Sequence, residues 1–138
     1  MSMRDYAVDD YGLLMTREML KAIASKVCDG YTEEEYEEDE FAFNEALYDE
    51  GIVEYIGSFT GESIAINDKG ENMWGDSESY DDDIIYYTPT SKVSTLFNAA
   101  YKNVEEMIEE FRDRLGEYLP EDFEYRKYIR HISGTYFG

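Results

Sequence analysis

Residues 31–50 restrict the fold of this chain most, because ten of them are acidic and none is Lys or Arg. Four apolar side chains are spaced through the same stretch, at Tyr36, Phe41, Phe43 and Leu47. Thr32 followed by Glu35 is a capping box, a pattern that starts helices. We therefore predict one helix that begins after Thr32 and ends at Gly51. Its carboxylates repel one another at i,i+4 by about 0.2–0.5 kcal/mol per pair, so packing of its apolar stripe must stabilise it.

The negative charge is concentrated in the middle of the chain. The 138 residues carry a formal net charge of −21. Residues 29–83 hold twenty acidic residues and one Lys, a net charge of −19, whereas residues 1–28 are neutral and residues 84–138 carry −2. Such a charge repels bare DNA and anionic membranes and favours basic partners. It also opposes compaction, so we expect lower stability at low salt.

The length and the aromatic content predict one folded domain over residues 1–138. Aromatic residues make up 16% of the chain, whereas disordered acidic chains are poor in them. We divide the domain into an N-terminal arm (1–12), an acidic helix–helix–hairpin half (13–88) and a helical half (89–138). The predicted fold class is α+β. An N-terminal helix pair is followed by a small antiparallel sheet, a hairpin plus a third strand, and C-terminal helices pack on it.

The first half of the chain contains two further periodic patterns. An apolar stripe predicts a helix from Thr16 to Cys28, in which the Cys28 thiol is a small buried group. Residues 52–66 have the composition of two strands, and Thr60-Gly61 between them predicts the turn of a hairpin.

The segments ALYDEGIVEYIG (46–57) and GESIAINDKGE (61–71) resemble the end of a winged-helix domain. In that family a helix leads through Gly-Ile-Val into a two-stranded wing that Lys-Gly closes, and the resemblance covers about residues 13–72. The resemblance implies a winged-helix fold over these residues, but it does not imply DNA binding. Winged-helix DNA binders carry Lys and Arg on the helix that faces the phosphates, and here that helix is the most acidic element.

Residues 71–83 are predicted to be an acidic loop around Trp74. Residues 84–88 then form a third strand, which Pro89 ends. The carboxylates of residues 76–83 offer oxygen ligands of the kind that Ca²⁺ prefers. The spacing of a calcium-binding EF-hand is absent, so we favour a solvated loop and keep a weak Ca²⁺ site as an alternative.

The C-terminal third is predicted to be helical. Apolar spacing indicates a helix from about Ser94 to Leu115, either continuous or divided at Asn103, which could cap a new start. A last helix is predicted from Asp122 to Ile132, with Gly134 as its cap and His131 as a favourable surface charge near its end. Three bases there could meet the acidic region of a second copy and form a homodimer: Arg126, Lys127 and Arg130.

The sequence lacks the usual signatures of catalysis. It has one His and one Cys, 103 positions apart, which excludes most nucleophilic triads and the usual zinc sites. No phosphate-binding, dinucleotide-binding or metalloprotease motif is present. We therefore predict that the protein is not an enzyme and needs no cofactor or metal. A single Cys and the lack of an apolar leader or membrane span lead us to expect a cytoplasmic protein.

The acidic stretches suggest mimicry of DNA. Carboxylates on a helix edge approximate a row of phosphates, and interleaved aromatic residues supply anchors. In composition and size the chain is similar to small acidic inhibitors of phages and mobile elements, of the anti-CRISPR or anti-restriction type. The resemblance implies a non-catalytic inhibitor that occupies the basic groove of a nucleic-acid-binding protein. The predicted contact residues are Glu33, Glu34, Glu35, Tyr36, Glu37, Glu38, Asp39, Glu40, Asp76, Glu78, Asp81, Asp82 and Asp83. The alternative is an accessory or assembly protein whose acidic residues provide solubility.

Overall fold

Four long antiparallel strands form a closed barrel in the order β1–β3–β2–β4 in the structure, a computed structural model that describes residues 5–90 and 103–137. The strands are β1 (Asp5–Leu14), β2 (Glu54–Ile66), β3 (Asn72–Pro89) and β4 (Ile129–Phe137). The helices are α1 (Arg17–Val27), α2 (Glu33–Glu38), α3 (Glu40–Asp49) and α4 (Val104–Leu115), and a 3-10 helix spans Tyr125–Tyr128. The α+β class is confirmed, but the predicted arrangement of a helix pair, a small sheet and C-terminal helices is wrong.

Both ends of the described chain are strands that pair with each other. Residues 1–12 were predicted to be an arm, yet β1 pairs with β4 continuously from Asp5 opposite Phe137 to Leu13 opposite Ile129. The predicted helix over 122–132 is also wrong, and Gly134 lies within β4 instead of capping a helix. Ile129 and Ile132 have the spacing of a helix, but β-branched residues also favour strands. Pairing with β1, which lies more than one hundred residues earlier in the chain, makes this segment a strand instead of a helix.

The hairpin of β2 and β3 is longer than predicted. Thr60-Gly61 is not a turn, because β2 runs through it, and the chain reverses at residues 67–70. There the Asn67 side-chain oxygen accepts hydrogen bonds from the backbone N–H groups of Lys69 and Glu71, both at 2.9 Å. The prediction of a loop over 71–83 is wrong, because β3 begins at Asn72 and runs through the rest of this segment. The winged-helix layout is therefore not observed, since β2 and β3 are barrel strands instead of an isolated wing.

Two residues with positive φ bend this hairpin. Ser58 on β2 has φ 50° and Asp82 on β3 has φ 57°. The register shifts on both sides of Phe59, which lies between these two positions in the pairing of the strands. Irregularities of this kind increase the local twist and bend of a sheet. They help the long hairpin to curve around the barrel.

The core is divided between the barrel and a layer of helices. The barrel encloses a small cluster of Val8, Ile56, Phe59, Ile85, Tyr87 and Ile132. A larger cluster joins one end of the barrel to the inner faces of the helices, with Ile23 of α1, Leu47 of α3 and Phe111 of α4 among its fully buried members. The helices therefore cover one end of the barrel.

Three helix predictions are tested by the caps. The first helix is confirmed: the Met19 N–H donates to Thr16 Oγ1 at 3.3 Å. The acidic helix is divided into α2 and α3 at Asp39, whose φ of −143° and ψ of 57° are not helical. Asp is a poor residue for a helix interior, and the break interrupts the acidic run. The start at Asn103 is also confirmed. Residues 94–102 of the predicted helix lie outside the described residues.

Candidate partner-binding face

One carboxylate from each of the two acidic stretches lines the same cleft. Glu40 at the start of α3 and Glu78 on β3 both line a cleft of about 360 Å³, together with Arg17, Ile84 and Arg130. We use the name acidic face for this cleft together with the exposed carboxylates of residues 33–40 and 76–83, of which Glu35 and Asp39 line a second cleft and Asp76 a third. Sequence positions about forty residues apart thus contribute to the same surface.

Part of the helical side is neutralised from within the chain. Arg17 Nη2 lies 2.8 Å from Glu37 Oε1, and Arg17 Nε lies 3.2 Å from Glu40 Oε2. Lys21 Nζ lies 2.9 Å from Glu33 Oε2. The Arg17 guanidinium lowers the pKa of Glu37, and its carboxylate partners raise the pKa of Arg17. Exposed pairs like these add little to stability, so their main effect is to reduce the charge of the surface.

The other helical carboxylates remain available. Glu34, Glu35, Glu38 and Asp39 are exposed, and no ion pair joins them to a cation in the part of the chain that the structure describes. Glu33, Glu37 and Glu40 share two cations and leave one further negative charge, so the seven carboxylates of the helical side present a net charge of −5.

Tyr36 is part of the core instead of the surface. Its side chain is completely buried, and its hydroxyl donates to Asn44 Oδ1 at 2.8 Å. Its ring packs against the rings of Tyr31 and Phe43, with centroids 5.9 and 5.8 Å apart. Burial is the main cause that raises the pKa of Tyr36. In this structure Tyr36 cannot contact a partner, and it supports the acidic helices from below.

Three other apolar side chains are exposed, unlike Tyr36. Phe41 beside Glu40 is 51% exposed, Trp74 near Asp76 is 66% exposed, and Ile84 in the cleft is 54% exposed. Phe41 lies outside the helical stripe of Tyr36, Phe43 and Leu47, and that spacing is the signal of its exposure. Neither Ile84 nor Trp74 has such a signal, because β3 is exposed on both faces over most of its length.

The strand side presents its carboxylates on β3. Asp76, Glu78, Asp81, Asp82 and Asp83 are all exposed. The Asp82 N–H donates to Thr60 Oγ1 at 3.1 Å, and the Asp81 N–H donates to Asp83 Oδ2 at 3.0 Å. Tyr80 donates its hydroxyl to Glu78 Oε2 at 3.1 Å. These contacts hold the backbone around the irregularity at Asp82, so the three consecutive aspartates stand on an ordered strand.

The two residues that most often carry catalysis have structural surroundings here. His131 lies on β4 instead of at a helix end; its ring stacks on Tyr11 with centroids 4.6 Å apart, Nε2 contacts Asp9, and Nδ1 lies 3.0 Å from Asn72 Oδ1. Cys28 is half-buried, and burial raises the pKa of its thiol. A raised thiol pKa lowers the thiolate fraction on which nucleophilic attack depends.

Metal ligands, membrane spans and known relatives add no further assignment. Within residues 5–90 and 103–137, no three His, Cys, Asp or Glu side chains are grouped so that they could hold a metal ion. None of the helices in these residues is long and apolar enough to cross a membrane. No family model, curated protein or solved structure matches the chain.

Proposed function

We propose that this protein is a non-catalytic inhibitor that occupies the basic nucleic-acid-binding groove of a partner protein with its acidic face. The observation that supports the proposal is the placement of Glu40 and Glu78 on the walls of one cleft. This placement brings one carboxylate of α3 and one carboxylate of β3 to the same surface. The proposal implies that the protein acts in the cytoplasm, where its partner meets nucleic acid and Cys28 stays reduced.

The spacing of the carboxylates is compatible with mimicry of a phosphate backbone. One strand of DNA presents a negative charge per about 3.4 Å of helix axis. Helical residues at i,i+4 are about 5–6 Å apart at Cβ, and alternate residues of a strand are about 6.6 Å apart. Rows on α2 and β3 therefore approach the charge density of DNA to within a factor of about two. Such a surface accelerates association with a basic groove.

Exposed apolar residues would distinguish the protein from nucleic acid as a ligand. Trp and other aromatic residues are enriched among the side chains that dominate binding energy. Phe41 follows Glu40 on α3, Trp74 lies two positions before Asp76 on β3, and Ile84 lines the cleft; all three are exposed. We expect these three side chains, instead of Tyr36, to anchor the partner.

The test uses two triple variants that remove the same charge. D81N/D82N/D83N removes three carboxylates of the acidic face, and Asn tolerates the positive φ of Asp82. E109Q/D113N/E121Q removes three exposed carboxylates from α4 and the loop that follows it. Immobilised wild-type protein captures its partner from an extract of the native host, and excess duplex DNA is then added.

The proposal predicts a nucleic-acid-binding partner that duplex DNA displaces. We expect D81N/D82N/D83N to weaken capture at least tenfold, about 1.4 kcal/mol, and E109Q/D113N/E121Q to leave it within about twofold. A partner that duplex DNA does not displace, retained equally by both triple variants, would contradict mimicry. That result would favour an accessory protein whose acidic residues serve solubility.

A further inference from the structure

A second cleft concentrates positive charge in this acidic protein. It has a volume of about 850 Å³ and lies between the ends of β2 and β3, α4, and residues 123–130. Arg112, Arg126, Lys127 and Arg130 line it. They are four of the nine Lys and Arg residues within the described ranges. We call this site the basic cleft; its volume lies within the range of small-molecule sites.

One wall of the basic cleft is aromatic. The rings of Phe123 and Tyr128 stack with centroids 5.4 Å apart and an interplanar angle of 19°. Tyr125 meets Phe123 edge-on at 4.9 Å, and the Arg112 guanidinium lies 5.8 Å from the centre of the Tyr125 ring. A wall of this kind offers flat surfaces and a cation at its edge, which together suit a planar ring that carries negative charge.

Arg130 has an unsatisfied donor beside the same cleft. Its Nε is buried and has no hydrogen-bond acceptor among the described residues, and its Nη1 makes only a long contact of 3.5 Å with the Asp76 carbonyl oxygen. Buried donors without an acceptor are costly and therefore rare. The Nε–H itself is closed to a ligand in this position, so a phosphate or carboxylate would bind through the terminal nitrogens, of which Nη1 makes only the long contact, or after the guanidinium turns towards the cleft.

The other cations of the basic cleft are held loosely. Arg126 contacts Asp68, and Lys127 Nζ lies 2.6 Å from Glu124 Oε2. The side chains of Arg126 and Lys127 are 48% and 65% exposed, and exposed ion pairs of this type exchange at little cost. Both cations can therefore turn towards an anionic ligand.

We propose that the basic cleft binds a small planar aromatic anion of the mononucleotide class. Arg126, Lys127 and Arg130 receive the phosphate, and the base packs against the wall formed by Phe123 and Tyr128. Carboxylates also line the cleft, at Asp76, Glu105 and Glu124. They oppose a ligand that is only an anion and accept hydrogen bonds from amino or hydroxyl groups. The two clefts share Tyr128 and Arg130, whereas Arg126 lines the basic cleft alone, so Arg126→Gln distinguishes a failure of this proposal from a failure of the acidic-face proposal.

The binding test separates the parts of the ligand. AMP is titrated into the full-length protein by calorimetry, beside adenosine, ribose 5-phosphate and inorganic phosphate. We expect saturable binding of AMP, and binding of each of the other three at least tenfold weaker. Arg130→Gln should weaken AMP at least tenfold. Lys26→Gln is the matched control, since it removes one charge from a side chain that bonds the Glu117 carbonyl oxygen away from the cleft.

Further outcomes decide the identity of the occupant. If Arg130→Gln does not fold, Arg126→Gln replaces it, since Arg126 is exposed and should tolerate the change with a several-fold loss of AMP affinity. Equal affinity for AMP and inorganic phosphate, or no saturable binding of AMP up to about 10 mM, would overturn the proposal. Sedimentation of the same samples tests a second copy as the occupant. A wild-type dimer that Arg130→Gln converts to a monomer would assign the cleft to self-association instead.

Discussion

Gly61 on β2 lies directly opposite Gly134 on β4, and neither position has room for a Cβ atom. A Cβ on Gly61 would overlap the Ser133 carbonyl oxygen, and a Cβ on Gly134 would overlap the Thr60 carbonyl oxygen. The buried ring of Phe59 covers both glycines, with ring atoms 2.8 and 2.9 Å from the two Cβ positions. A barrel of four strands is narrow, and this pair of glycines lets the adjacent strands β2 and β4 pair closely beside the Phe59 ring in its interior.

Alanine at either glycine should therefore destabilise the barrel. We expect Gly61→Ala and Gly134→Ala each to lower the free energy of unfolding by about 1–3 kcal/mol or more, because the clash is with backbone that cannot move freely. Gly75→Ala is the control, since no atom lies within 4 Å of its Cβ position, and it should change stability by less than about 0.5 kcal/mol. Urea unfolding measures all three. Equal losses at Gly61 and Gly75 would show that the strands separate more easily than the structure indicates.

Removal of the Tyr36 hydroxyl tests its assignment to the core. Tyr36→Phe leaves the buried side-chain oxygen of Asn44 without this donor, so we expect a loss of about 1–3 kcal/mol in the free energy of unfolding. Tyr48→Phe, at an exposed tyrosine of α3, should be nearly neutral. Capture of the partner should be unchanged in Tyr36→Phe once the sample is folded. Weaker capture by a folded Tyr36→Phe sample would return Tyr36 to the contact surface.

The sequence predicts the helices better than the strands. The starts of α1 at Thr16 and of α4 at Asn103 follow from caps and apolar spacing, which are local signals. By contrast, β1 and β4 depend on each other across the length of the chain, and no local pattern in residues 5–14 reveals that pairing. The acidic half of β3 is exposed on both faces, so it lacks the alternation that marks a strand.

The candidate site, like the fold, can be predicted from the sequence only where local signals decide it. Exposed acidic residues on α2 and β3 follow from composition. The meeting of Glu40 of α3 and Glu78 of β3 at one cleft does not, since it depends on how β3 passes the start of α3. Neutralisation by Arg17 is equally hidden, because Arg17 lies twenty or more positions from Glu37 and Glu40 and meets them only after α1 packs on the acidic helices. The basic cleft likewise requires residues 123–130 to form a 3-10 helix and a strand instead of the predicted helix.

High pH should destabilise the protein through buried tyrosines. Burial raises the pKa of Tyr87, and the Asp10 carboxylate, which accepts its hydroxyl at 2.7 Å, raises it further. Burial also raises the pKa of Tyr36. In the unfolded chain these hydroxyls ionise near pH 10, whereas in the folded protein they stay protonated. Their contribution is therefore complete below about pH 10 and is lost as the pH rises towards the folded pKa values.

Urea unfolding at a series of pH values from about 8 to about 11 measures this loss. Tyr87→Phe should reduce the slope of the free energy of unfolding against pH above about pH 10, by the equivalent of at most one bound proton. Tyr6→Phe, at an exposed tyrosine, should follow the wild type more closely. A stability that stays constant up to about pH 11 would contradict the burial of Tyr36 and Tyr87.

Added salt should stabilise the protein instead of weakening it. Screening reduces the repulsion within residues 29–83, which carry a net charge of −19, and it also weakens the pairs of Arg17 and Lys21. Those pairs are exposed and contribute little, whereas the repulsion involves the whole acidic face, so the melting temperature should rise between about 20 mM and about 500 mM NaCl. D81N/D82N/D83N, which reduces the formal net charge from −21 to −18, should show a smaller rise. A melting temperature that falls with salt would mean that the Arg17 and Lys21 pairs outweigh the repulsion.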